Sequence, residues 1–175
     1  LIEFMVLAMP RSGTGWCANW LTTDRTLCLH DPLWKHHYSE LDNVRSPGRR
    51  LGVSCTGLAM FPDFLASHRA RKVILHRPIA EVNESGRALG LDPIPTHWDS
   101  LLDSITGFHA SWTDVFKPET ARPIYEFLLQ RSFDEQRHAM LTGLNVQIAF
   151  ERVKPDPRVA RRFFEEFRRA GERLQ

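Results

Sequence analysis

The chain is poor in cysteine, in net charge and in long apolar runs. Its three cysteines, Cys17, Cys28 and Cys55, are too few and odd in number for a disulfide framework, so the sequence predicts free thiols in a reducing compartment. No CxxC or HxxxH spacing links Cys28, His30, His36, His37 and Cys55, which argues against a zinc site and for no metal at all. The 23 Lys+Arg against 21 Asp+Glu leave a formal charge of +2. A balance so close to zero gives no broad field to draw nucleic acid or an anionic membrane. The opening Leu1–Met9 is apolar, but it carries Glu3, lacks a basic leader and runs into Pro10-Arg11. It is too short for a membrane span and poorly built for a secretion signal, so the expected location is cytoplasmic. Internal repeats are absent, and Pro155-Asp156-Pro157 reads as a turn, so residues 1–175 are expected to form one domain.

What remains is ordinary globular composition, 42% hydrophobic and 25% charged, enough to bury a core. Short apolar runs with flanking turn residues predict strands at 3–9, 27–30, 51–55 and 72–76. The alternating Asn145–Phe150 predicts another. Helical spacing follows Gly15, spans Phe61 to His68, and starts again after Pro78, where Ile79, Val82 and Leu89 recur. Trp98, Leu101, Leu102, Ile105, Phe108, Trp112 and Val115 keep helical spacing throughout, which predicts one long helix. Two helices are expected over Ile124–Leu129 and Phe133–Leu141. A last one opens at Asp156-Pro157 and carries Phe163, Phe164 and Phe167 on its packing face. The polar stretch from Trp34 to Arg50 reads as a loop or a short helix with a loop. Eight basic and four acidic residues over 152–173 are expected to be a solvated helix face.

Alternating strands and helices predict an α/β domain with a mainly parallel central sheet between helical layers. Ligands in such sheets sit beyond the carboxyl ends of the strands, which points to Arg11–Gly15, His30 and Asp31, Ser54–Gly57 and Arg77. A loop of small residues between a strand and a helix aims backbone N–H groups and the positive helix end at an anion. Ser12-Gly13-Thr14-Gly15 has that chemistry, and Arg11 adds a fixed charge with a fork of donors. It is not a Walker A loop, because GxxxxGK(S/T) does not align and no lysine follows the glycine.

Pro10-Arg11-Ser12-Gly13-Thr14-Gly15-Trp16 resembles the 5′-phosphosulfate loop of the sulfotransferase family, usually written Lys/Arg-Ser-Gly-Thr-Thr-Trp. Lys72-Val73-Ile74-Leu75-His76-Arg77-Pro78, with Ser85 eight residues after Arg77, resembles that family's 3′-phosphate motif. Phe133-Asp134-Glu135-Gln136-Arg137 is a weaker match to a helical segment of bacterial members. The resemblance implies a three-layer, P-loop nucleotide-hydrolase-like fold and 3′-phosphoadenosine-5′-phosphosulfate (PAPS) as co-substrate, with no metal required. It implies that Arg11 holds the transferring group and that Ser12, Gly13, Thr14 and Gly15 donate to the 5′-phosphate. Trp16 would stack on adenine, and Arg77 with Ser85 would bind the 3′-phosphate. Gly15 stands where the family has a second threonine, and the histidine that many relatives carry after the third strand is replaced by Ser54-Cys55-Thr56-Gly57. In the family's protein-tyrosine branch the base is a glutamate after the second strand, and the resemblance makes Asp31, twenty residues beyond Arg11, the candidate general base, with His30 the alternate. Against these roles stand plainer ones: Asp31 as a turn residue before Pro32, and Trp16 as core. The acceptor, small molecule or peptide, stays open. The competing functions are a nucleotide kinase with an aberrant phosphate loop and a nucleotide- or partner-binding module without turnover.

Overall fold

The computed structural model describes residues 1–144 together with Arg162 and Glu165, both helical. The strand expected at 145–150 and the rest of the last expected helix lie outside the described residues. Five strands form one sheet: β1 (Ile2–Ala8), β2 (Thr26–His30), β3 (Arg50–Cys55), β4 (Arg71–His76) and β5 (Phe108–Ser111). Their order is β2-β3-β1-β4-β5 and all four pairings are parallel. β1 is central and fully covered. Its alternate residues feed two cores: Met5 and Leu7 face one, and Phe4, Val6 and Ala8 face the other. The pairing register with β3 shifts between Ile2 and Phe4. Gly52 leaves room for the Phe4 ring, which a side chain at 52 would overlap.

On one face lie α2 (Pro62–Ser67), α3 (Ile79–Arg87) and α4 (Trp98–Asp103), and Leu65, Val82, Leu101 and Leu102 join Met5, Leu7 and Val53 in the first core. On the other lie α1 (Thr14–Leu21), α5 (Pro118–Leu129) and α6 (Glu135–Thr142). There Trp16, Trp20, Tyr125, Leu128, Phe133 and Leu141 pack on Phe4 and Val6. Arg137 ties these helices together by donating to the carbonyls of Asn19 and Thr22 at 2.6 Å and of Trp20 at 3.3 Å, which satisfies the open C-terminal end of α1. The stretch from Trp34 to Arg50 holds a 3₁₀ turn at Tyr38–Asn43, preceded by another at Pro32–Trp34.

One expectation is overturned. The long helix from Trp98 to Val115 does not form: its first part is α4, Phe108–Ser111 is β5, and Trp112–Phe116 is a 3₁₀ turn. The helical spacing is real only through Ile105, which still buries its side chain with Leu101 and Leu102. Beyond it, Phe108 to Ser111 pair residue by residue with Val73 to His76, so the edge of β4 gains a backbone partner that a helix would not supply. Gly107 permits this approach, because a Cβ there would lie 2.6 Å from the Lys72 carbonyl oxygen and collide with Ile74. A side-chain pattern without that backbone requirement misassigns the segment.

Candidate functional site

The carboxyl ends of β1, β2, β3 and β4 meet at one rim of the sheet. Between β1 and α1 the chain turns through two left-handed residues, Arg11 at φ 64° and Gly13 at φ 83°. Gly13 suits this conformation; Arg11 adopts it at a cost of roughly 1 kcal/mol, a strain that clusters at functional loops. The α1 bonding begins with Cys17 N–H donating to Gly13 O at 2.9 Å. The amides of Thr14, Gly15 and Trp16 precede it and belong to the first turn, whose donors point out of the helix end. Ser12 is fully buried and its hydroxyl donates to the Pro10 carbonyl at 3.4 Å, so its side chain closes the turn from within.

The loop after β1 and the end of β4 converge. Arg11 Nε donates to Ser85 Oγ at 3.2 Å, and Arg77 donates through Nη1 to the Arg11 carbonyl. Arg77 leaves the end of β4, stacks its guanidinium 4.2 Å above the Trp112 ring and pairs with Glu81 at 3.3 Å. The Trp112 ring, Glu81 and the Arg11 carbonyl together hold the guanidinium in place. Trp112 is the residue that the expected long helix hides: it reaches Arg77 only because β5 runs beside β4.

At the end of β2, Asp31 is also left-handed, at φ 40°. Its Oδ1 accepts from the Thr56 amide at 2.7 Å and from Thr56 Oγ1 at 3.1 Å, stitching β2 to the turn after β3. Its Oδ2 lies 3.2 Å from His30 Nε2, and the same nitrogen lies 3.2 Å from Thr14 Oγ1. Ser54 Oγ donates to Thr14 O at 2.8 Å. His30 and Asp31 are thus one hydrogen-bonded pair reaching Thr14 at the start of α1. Nothing in the spacing around Thr56 or Ser54 announces these contacts, since both act through positions 25 and 40 residues away. The nearby Cys55 thiol is pushed well up by burial and by the Asp31 carboxylate, which keeps it protonated and unreactive.

Trp16 is 6% exposed, donates its indole N–H to the Leu141 carbonyl at 3.2 Å, and packs against Trp20, Phe116 and His138. This is the packing role among its two sequence alternatives. The remaining expected residues, Arg11, Ser12, Gly13, Thr14, Gly15, His30, Asp31, Arg77 and Ser85, surround one rim.

Two hollows flank this rim. The first, about 170 Å³, is walled by Pro10, Asp31, Leu33, Trp34, Cys55 and Trp98, with Thr56 and Gly57. The second is an open cleft of about 660 Å³ beside Arg77, with His76, His109, Asp99, Asp103 and Asp114 on its walls. In it His109 Nε2 lies 2.8 Å from the Ile105 carbonyl, which only accepts, so Nε2 donates. In the neutral ring Nδ1 of His109 then accepts from His76 Nε2 at 2.8 Å, leaving His76 Nδ1 toward Asp103 at 3.6 Å. Burial, followed by His109, lowers the pKa of His76 despite the two aspartates. Among the described residues no three His, Cys, Asp or Glu side chains form a group that would hold a metal, and no helix is long and apolar enough to cross a membrane. No family model, no curated protein and no solved structure matches this chain.

Proposed function

We propose that the protein is a sulfotransferase, moving the sulfuryl group of PAPS to a hydroxyl on a P-loop-like fold. The observation that carries this reading is the meeting of Arg11 with Ser85 and of Arg77 with the Arg11 carbonyl. Two motifs that the sequence presents as separate anion grips, 66 residues apart, share one patch of surface. A nucleotide with phosphates at both 3′ and 5′ positions is the ligand chemistry that needs two grips so close together.

In this scheme the first-turn amides of α1 and Arg11 bind the 5′-phosphate and stabilise the charge it gains on departure, while Arg77 and Ser85 hold the 3′-phosphate. The acceptor oxygen bonds to sulfur as the bond from sulfur to the phosphate oxygen breaks, its electron pair leaving with the phosphate. As in phosphoryl transfer, the protein contributes positioning and electrostatic stabilisation. Asp31 takes the acceptor's proton through Oδ2, and His30 beside that oxygen orients the carboxylate and passes the proton on. Trp16 supports the loop from within the core and is given no part in base stacking. Gly15 supplies an amide only.

A second reading, a nucleotide-binding module without turnover, draws on the fact that Asp31 Oδ1 is already occupied by Thr56. The two are separated by incubating the protein with ³⁵S-labelled PAPS and a mixed set of hydroxyl acceptors. Transfer of label above blank, cut about 100-fold by Asp31→Asn, is the expected result. Nucleotide binding with no label transferred by the wild-type protein would establish the module instead.

A further inference from the structure

We infer that Trp112 is the positioning residue by which the site selects a phosphate on the 3′ carbon of ribose over one on the 2′ carbon. The inference rests on the two-phosphate reading above, and it concerns a side chain that belongs to neither anion motif. Arg77 carries its guanidinium on a stem of rotatable bonds, so without support the group would sample many positions. It is supported from three directions. Its Cζ lies 4.2 Å from the centre of the Trp112 ring, Nε donates to Glu81 at 3.3 Å, and Nη1 donates to the Arg11 carbonyl. Nη2 is then the nitrogen left for a phosphate oxygen. The Glu81 carboxylate is about half exposed and holds little by itself. The ring is the broad contact among the three.

Trp112 can act this way because its own turn is clamped. Ser111 N–H donates to Asp114 Oδ2 at 2.9 Å and Thr113 N–H to Ser111 Oγ at 3.4 Å, closing a capping box at the start of the 3₁₀ turn Trp112–Phe116. Val115 is fully buried, and its carbonyl accepts from His138 Nε2 at 2.8 Å. Thr120 Oγ1 donates to the Asp114 carbonyl at 2.7 Å. The far end of the turn reaches the loop after β1. There the Phe116 ring packs 5.1 Å from Trp16 and lies under Gly13, where an added Cβ would sit 3.4 Å from its Cζ. One braced turn thus touches Arg77 with its first residue and the loop with its last, and it fixes one grip relative to the other. A phosphate moved to the neighbouring ribose carbon leaves a held guanidinium behind, whereas a mobile one follows it. Pre-organisation of Arg77 therefore becomes discrimination between isomers.

The test is calorimetric titration of the full chain with adenosine 3′,5′-bisphosphate, adenosine 2′,5′-bisphosphate and adenosine 5′-phosphate. The wild-type protein is expected to prefer the 3′,5′ isomer to the 2′,5′ isomer by about 10-fold or more, the worth of one well-placed charged hydrogen bond. Trp112→Ala should bring the two isomers within about 3-fold by weakening the first, and leave adenosine 5′-phosphate within about 2-fold of wild type. Trp112→Phe keeps a ring face over Arg77 and should retain most of the preference. A wild-type protein that binds both isomers alike would overturn the inference, as would a preference that survives Trp112→Ala. Equal weakening of all three ligands in Trp112→Ala would also overturn it, because that is the mark of a merely structural side chain. The two ideas fail differently: a wild-type protein that binds none of the three sinks the two-phosphate reading and the inference with it, while an isomer preference indifferent to Trp112 sinks the inference alone.

Discussion

Three residues at the sheet rim, Arg11, Gly13 and Asp31, hold left-handed backbone, and each turns the chain as it leaves a strand. Gly13 is the case in which conformation and space agree. Its φ of 83° disfavours any L side chain, and a Cβ there would meet the Phe116 ring at 3.4 Å. Gly13→Ala should therefore cost about 1–2 kcal/mol, visible as a lower urea midpoint with an unchanged slope. An unshifted midpoint would mean the loop adapts freely. The sequence makes this residue legible, because glycine between a strand and a helix has few other uses. It also singles out Arg77 and Ser85, both of which the structure brings to Arg11. Thr56 and Trp112 are not legible: each meets its partner through tertiary packing, and neither threonine after a strand nor tryptophan in an apolar stretch signals which side chain it will touch.

Among the elements, the strands of the inner sheet follow directly from short apolar runs. β1, β3 and β4 are buried on both faces, so no alternation is needed to recognise them. β5 is different. Phe108 and Ala110 pack on one core while His109 and Ser111 face the other way, and this weak four-residue pattern sits in line with the preceding helical spacing. What decides its state is the unpaired edge of β4 and the absence of a side chain at Gly107. Gly107→Ala would press a methyl against the Lys72 carbonyl and Ile74, so it should destabilise the protein by about 1–3 kcal/mol. It should also speed amide exchange in Phe108–Ser111 relative to the inner strands. Equal protection before and after the change would show that Gly107 does not control the docking of β5. Because β5 carries Trp112 to Arg77, this edge strand also shapes the candidate site.

For the molecule as a whole, Arg11 and Arg77 meet at one rim that also holds Asp31 and Glu81, while Asp42 works at the opposite end of β1. There Asp42 accepts from the Ile2 amide at 2.8 Å and from His68 at 3.1 Å. Burial pushes its carboxyl up, but these bonds outweigh it and hold the pKa below the ordinary 3.8. A depressed carboxylate stabilises the fold fully above its unfolded pKa and loses that contribution as pH falls through the folded value. Stability should thus decline below about pH 4, and Asp42→Asn should lower stability at neutral pH while flattening that acid limb. An acid limb of unchanged steepness in the variant would assign the decline to other carboxylates.

The near-cancelling charge excludes a broad polyanion surface and is compatible with one concentrated anion site. The measurement that tests that site most directly is calorimetric titration of the protein with adenosine 3′,5′-bisphosphate, repeated for Arg77→Ala. One-to-one binding is expected, weakened about 10- to 100-fold by the loss of a charged hydrogen-bonding partner. No binding to the wild-type protein, or binding that Arg77→Ala leaves unchanged, would contradict it.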